Sequence, residues 1–210
     1  MQIFIAGNGK LAGALRKECK RKRVRSAVWT TTLEPDIDAI AIHTGSGRQF
    51  SDLVAWCEKY RVPLIQAATG QENLLPKRPR CPILLAPNLS IPMLIFMRDI
   101  PRIVKTLRTM GMVAALSESH QKSKDSVAGT ARLLAERSGI PAREIRSIRK
   151  NSKVHAEHDI VLRSADVEIG FSTTVRGLRP YALGGIELAF HILRTRKKIP
   201  DGINSIENLI

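Results

Sequence analysis

Ile3 to Ala6 form a short apolar run, and Gly7-Asn8-Gly9-Lys10-Leu11-Ala12-Gly13 follows it directly. The pattern is G-x-G-x-x-A with a further glycine, set between a predicted strand and a basic predicted helix. The first glycine permits a tight turn, and the second lets backbone approach a pyrophosphate. The small Ala12 lets helix and strand pack closely. Free N–H groups at the helix start then face phosphates. A glycine pattern by itself also describes a structural turn, but its place after a strand and before a helix favours a dinucleotide. Gly7, Asn8, Gly9, Lys10 and Leu11 are therefore candidate cofactor-binding residues.

Strands and helices go on alternating. Further strands are predicted over Arg25–Thr30, Ile37–Ile42, Val62–Ala67 and Ile83–Leu85. A helix over Gln49–Lys59 carries Phe50, Leu53, Val54 and Cys57 on one face. Such alternation implies a parallel sheet with its ligand beyond the carboxyl ends of the strands. Those ends read His43-Thr44-Gly45-Ser46-Gly47, Ala68-Thr69-Gly70 and Ala86-Pro87-Asn88-Leu89-Ser90. They are small, hydroxyl or amide residues, suited to a nicotinamide crossing that edge. Thr69, Gly70, Ala86, Pro87, Asn88 and Leu89 join the cofactor-binding candidates. The second strand ends in Thr30-Thr31-Thr32, with Glu34 a little late for a ribose-holding carboxylate. The expected cofactor is NADPH or NADH, and the hydroxyls lean towards NADPH.

In the second half, Ser90 is a predicted cap for a helix to about Met110, kinked or split by Pro101. A strand over Met112–Leu116 leads into the polar run Glu118–Ala131, and a helix follows over Thr130–Ser138. Three strands are predicted over Ile145–Ile148, Ile160–Arg163 and Val167–Phe171, with His155 and His158 in a turn leading a strand. A last helix runs from Tyr181 to about Arg194, where Gly184-Gly185 allows close approach, and the tail Ile199–Ile210 forms a short helix or turn. The expected fold class is α/β: a Rossmann-like parallel-sheet nucleotide domain plus a smaller α+β domain for substrate and oligomerisation. The first covers about 1–90 with 181–210 returning to it, and the second about 91–180.

The polar run stands where a strand meets a helix, a position from which α/β proteins present groups to ligands. A histidine titrates near neutrality, so His120 suits a general acid. Lys124 can hold a carboxylate or supply a proton if desolvated. Gly129 and Thr130 offer an N–H and a hydroxyl at a helix start, suited to a substrate carboxylate. Each of these residue types is also common on solvated loops.

The chain carries a formal charge of +15. Its densest run is Arg16 to Arg23, with further positives at Lys77–Arg80 and Arg194–Lys198. No aromatic residues interleave them as a base-stacking surface would require. They read as solvated surface, and nucleic acid is not an expected partner. No apolar run reaches the roughly 18 residues of a membrane span. Cys19, Cys57 and Cys81 lack metal-ligand spacing, so no metal is expected. They suggest reduced thiols in the cytoplasm.

Taken together these stretches resemble the 4-hydroxy-tetrahydrodipicolinate reductases of bacterial lysine and diaminopimelate biosynthesis, over most of the chain. Ala67-Ala68-Thr69-Gly70 resembles that family's Gly-Thr-Thr-Gly, and Ala86 to Ser90 its Ala-Pro-Asn-Phe-Ser. Glu118 to Lys124 looks like its Glu-x-His-His-x-x-Lys signature, and Asp125 to Ala131 its Asp-Ala-Pro-Ser-Gly-Thr-Ala. His155 to His158 resembles its Gly-Glu-His turn, and Tyr181 to Gly184 its Phe-Ala-x-Gly. The resemblance implies an NAD(P)H-dependent oxidoreductase acting on a small dicarboxylate, with His120 and Lys124 as the acid pair. It implies substrate binding by Gln121, Gly129 and Thr130, and a homotetramer. Gln121 stands where the family has a second histidine, Lys124 abuts Asp125 one residue early, and Thr173 and Leu178 meet a His and Arg pattern. These departures fall on the substrate side. They leave open a reductase of a different substrate, or a divergent paralogue that binds nucleotide, or nucleic acid through its positive charge, without this activity.

Overall fold

The computed structural model describes residues 1–210 except 36–37, 69, 122–128 and 151–154, and of residues 72, 121, 149 and 150 the backbone alone. In chain order the elements are β1 (Gln2–Ala6), α1 (Lys10–Arg21), β2 (Arg25–Val28), β3 (Ala39–His43), α2 (Phe50–Tyr60), β4 (Leu64–Gln66) and β5 (Pro82–Leu85). Then come α3 (Ile91–Thr109), β6 (Val113–Gln121), α4 (Gly129–Ser138), β7 (Arg146–Lys150), β8 (Ala156–Arg163), β9 (Glu168–Val175), α5 (Arg179–Thr195) and β10 (Gly202–Ser205). The chain divides into two compact units, Met1–Ile91 with Leu178–Ile210, and Pro92–Gly177.

The first unit is built on a six-stranded parallel sheet in the order β10-β5-β4-β3-β1-β2. All residues of β1 and β3 are buried, as expected of strands covered on both faces. Phe4, Ala41 and Leu64 pack with α2 through Phe50, Leu53 and Trp56. Trp56 stacks edge-on against Phe4 at 4.9 Å and donates its indole N–H to the Leu33 carbonyl at 2.6 Å. The tail carries the expected short helix, a 3-10 turn over Ile206–Leu209, but also an unexpected sixth strand. Gly202–Ser205 pairs in parallel with Pro82–Leu85 and completes one edge, which no local signal in Asp201 to Ser205 announces.

Burial also governs the cysteines. All three are free and fully buried. Loss of water pushes the thiols up, Cys57 well above its ordinary value and Cys81 to about 12. The native protein should therefore resist a thiol-specific disulfide reagent at neutral pH, and react at all three positions only once unfolded. Rapid labelling of the folded protein would contradict this burial.

The second unit is a four-stranded sheet in the order β7-β6-β8-β9, with β6 and β7 parallel and the other pairs antiparallel. Leu116, Ile160 and Leu162 on one face pack against Met93, Met97 and Val104 of α3 and Leu134 and Ala135 of α4. Pro101 does not split α3, which runs continuously through it. Proline lacks the N–H that would bond to the carbonyl four residues earlier, that of Met97. Arg137 of α4 donates to this carbonyl instead, at 3.2 Å. No helix among the described residues is long and apolar enough to cross a membrane.

Candidate functional site

The carboxyl edge of the first sheet is assembled from strand exits. Gly7 takes φ +132°, a region that L side chains rarely enter. A Cβ there would lie 2.8 Å from the Gly45 nitrogen and 2.9 Å from Thr44 Oγ1, so the exits of β1 and β3 touch backbone to backbone. Gly9 precedes α1 with extended backbone and no side-chain cap, and a Cβ on it would meet nothing within 4 Å. The first turn of α1 holds no acidic residue. Its leading N–H groups, from Lys10, Leu11 and Ala12, have no earlier helical carbonyl to bond. Asn8 and Lys10 are exposed. Bare donors, the positive end of a helix dipole, an exposed lysine and open space over Gly9 fit a diphosphate.

Beside this turn, the Trp29 N–H bonds to the Ile5 carbonyl at 3.0 Å and sets the end of β2 against β1. The exposed Thr30 and Thr32 hydroxyls stand 3.2 Å apart. Glu34 accepts from the Tyr60 hydroxyl at 3.4 Å. The late carboxylate thus has a partner on α2, while the strand end itself offers hydroxyls.

Further along the edge, Gln71 donates to the Gly45 carbonyl at 3.1 Å, and the Ala86 N–H bonds to the Gln66 carbonyl at 2.9 Å. Gly70 is exposed with φ +77°, and Thr69 lies outside the described residues. Ala86, Asn88 and Leu89 are buried and Pro87 half-buried. Asn88 Oδ1 accepts from the Ser90 N–H at 2.8 Å, holding the turn into α3. These buried side chains shape backbone rather than present themselves to a ligand. Two positioning residues carried no sequence signal as a pair. His43 is wholly buried and meets Gln66 Oε1 at 2.6 Å through Nδ1 and the Ser46 carbonyl at 3.2 Å through Nε2. Its in-register partner on β4 is Gln66, so the pairing ties the β3 exit turn in place.

The second unit gathers a separate polar group. The strand predicted to end at Leu116 runs on to Gln121, so Glu118 and His120 lie on β6 and not in a loop. Spaced by two, they share the face on which Leu116 packs. His158 lies on β8, directly opposite Glu118, and not in a leading turn. Glu118 is 1% exposed and accepts from Ser147 Oγ at 2.8 Å and from His120 Nδ1. The His120 and His158 rings meet edge-on at 5.7 Å, and His158 Nδ1 lies 3.4 Å from Thr173 Oγ1. Four strands thus contribute one connected cluster. Ser147 was missed as the partner of Glu118 because their contact depends on the register of β6 with β7. The period-two placement of Glu118 and His120 was the one local sign of the cluster.

Gly129 and Thr130 open α4, where first-turn N–H groups face outward from the helix start. Gln121 closes β6 with its backbone paired to Lys150. Lys124 lies outside the described residues. A histidine whose Nδ1 is held by a buried carboxylate has a fixed tautomer and orientation. Its other nitrogen is then the one available for proton transfer, and the carboxylate offsets the charge of the protonated ring.

No family model matches the chain, and no curated protein sequence does. Among solved structures, the dipicolinate-bound dihydrodipicolinate reductase from Paenisporosarcina sp. TG-14 is similar over 100% of this chain and 99% of that one, with TM-score 0.70 and 13% identity. The chain has a Rossmann-type fold with a smaller second unit. An engineered D-amino acid dehydrogenase bound to NADP+ shares it with TM-score 0.53 and 8% identity, over 99% of this chain and 93% of that one. So does C. glutamicum DAP dehydrogenase in complex with DAP, with TM-score 0.51 and 10% identity over the same shares. At these identities the likeness is one of fold.

Proposed function

We propose that the chain is an NAD(P)H-dependent reductase of a cyclic, unsaturated dicarboxylate, specifically of 4-hydroxy-tetrahydrodipicolinate to tetrahydrodipicolinate in cytoplasmic lysine and diaminopimelate synthesis. The observation that carries the reading is the uncapped α1 start beneath Gly7 and Gly9, with open space over Gly9 and no acid in its first turn. The Gly7–Leu11 backbone holds the pyrophosphate, and Gly70, Thr69 and the Ala86–Leu89 turn shape the nicotinamide end. The Thr30 and Thr32 hydroxyls favour NADPH over NADH. A bound nicotinamide supplies a hydride.

The 4-hydroxyl leaves as water to give a conjugated ring, and hydride arrival at the carbon that carried it leaves electron density that needs a proton. His120 Nε2 delivers it, with Glu118 orienting the ring through Nδ1 and Ser147 holding the carboxylate. Lys124 assists as the second cation, and Gln121 with the N–H and hydroxyl of Gly129 and Thr130 holds the substrate carboxylates. The open face of the second sheet, where Val113 is 74% exposed, carries the subunit contacts of a homotetramer.

Gln121 supports a second reading, in which the same nucleotide site serves a reductase of another substrate or a paralogue without turnover. Titration of the protein with NADPH and NADH, followed by nicotinamide fluorescence, and then addition of enzymatically generated hydroxy-tetrahydrodipicolinate separates these. Binding with NADPH oxidation is the expected result. Binding without oxidation selects the second reading, and no binding of either cofactor removes both.

A further inference from the structure

The excess of positive charge plays no part in the reading above. In a parallel sheet joined by helices, strands enter at one edge and leave at the other. The glycine turn and the exits of β3, β4 and β5 all lie at the leaving edge. The basic runs lie at the entering edge. Lys20 stands in the last turn of α1, and Lys22 and Arg23 lead from it towards β2, all three exposed. No acidic residue occurs between Cys19 and Leu33. Lys77 and Arg78 stand exposed on the approach to β5, and Lys197 and Lys198 on the approach to β10. Far apart in the chain, these runs occupy the two ends of one sheet edge in the order β10-β5-β4-β3-β1-β2. The edge is about 24 Å long at the usual strand spacing of about 4.8 Å.

The acids of this edge are largely engaged. Glu58 pairs with Arg80 at 3.7 Å, Asp201 with Arg61 at 3.0 Å, and Glu18 accepts from Arg21 at 2.7 Å. Arg61 also donates to the Arg80 carbonyl and Arg196 to the Arg61 carbonyl, which fixes the approaches to β4, β5 and β10 to one another. Among the described residues, Asp38, exposed at the middle of the edge, is the counter-charge that remains in view. The exposed lysines of these runs, with Arg23 and Arg78, make no ion pair among the described residues, whereas Arg21 and Arg80 do.

Charge placed here does little for a nucleotide at the other edge. A strand of five residues separates them by about 17 Å, roughly twice the screening length of about 8 Å at physiological salt. A fixed row of lysines and arginines with open ends suits an extended polyanion. Tyr60, next to Arg61, is half-buried and packed on Trp56, and no aromatic residue lies within the runs Lys20–Arg23, Lys77–Arg80 and Arg194–Lys198 to stack on bases. The runs Lys20–Arg23 and Lys77–Arg80 hold no large apolar side chain that would enter a bilayer.

We propose that the strand-entry edge of the first unit docks the sugar–phosphate backbone of duplex nucleic acid, without reading its sequence. The proposal stands on the sheet topology and does not depend on the reductase reading.

The test uses the full chain, a fluorescein-labelled DNA duplex of about 20 base pairs and the matching RNA duplex, with anisotropy read over a salt series. The triple variant K20E/K22E/R23E is compared with R102E/K105E/R143E, an equal change of charge at exposed positions of the second unit. The expected result is salt-dependent binding to one or both duplexes, weakened about tenfold or more by the edge variant, with its salt slope reduced by about three. The control variant should change affinity by less than about threefold, and NADPH affinity should be equal in all three proteins. Absence of duplex binding near physiological salt overturns the proposal. So does equal weakening by both variants, which would show a general field, or binding to phosphatidylserine vesicles in place of either duplex.

Discussion

H120N will reduce turnover of hydroxy-tetrahydrodipicolinate by about two orders of magnitude or more, the usual reach of acid–base catalysis, while NADPH binds as before. Asparagine keeps a short polar side chain near Glu118 but removes the ring nitrogen that would carry the proton. The loss should fall on kcat, because the proton is needed in the transition state and not for binding. NADPH affinity is the internal control, since the glycine turn belongs to a different unit of the chain. Steady-state rates and a fluorescence titration on the same preparation decide the matter. Undiminished turnover would remove His120 from the acid role, and lost NADPH binding would point to a folding defect. E118Q should cost less, because a neutral amide can still occupy the space beside His120 Nδ1 and Ser147 while losing the charge.

G184A will destabilise the protein by about 3 kcal/mol or more, at the upper end for overpacking. A Cβ at this position in α5 would lie 1.9 Å from the Leu89 carbonyl oxygen and 3.0 Å from its carbon. Both atoms are backbone, so relief requires moving either the helix or the turn that follows β5. The sign is informative, since alanine is favoured over glycine by about 1 kcal/mol inside an unhindered helix. G13A in α1, where a Cβ would meet only the far end of Arg16 at 4.0 Å, supplies that contrast and should be neutral or stabilising. Midpoints of denaturant unfolding measure both. Equal stability of G184A and the parent would mean that the α5 packing against Leu89 is looser than described.

Much of the fold was legible. The glycine turn, the alternation of strands with helices and the apolar face of α2 are all local patterns, and each is found in the structure. The differences share one cause. The end of β6 is too polar to read as strand, yet it is held by β8 on one side and β7 on the other. The tail is paired by β5, and α3 passes Pro101 because Arg137 of another helix supplies the missing donor. In every case the deciding hydrogen bonds come from residues distant in the chain.

The site divides in the same way. Residues 7–11 could be nominated from their own spacing, because a tight turn at a helix start is a local geometric demand. The cluster around His120 could not, since His158 reaches His120 and Ser147 reaches Glu118 only through strand order and register. Nor could the basic edge, where separate runs become neighbours through the order of six strands. By itself the sequence determined most of the succession of elements and the glycine turn before α1, because backbone conformation and periodicity act over a few residues. Tertiary structure alone decided which side chains share a face, because cross-strand contact depends on which strands pair and in what register.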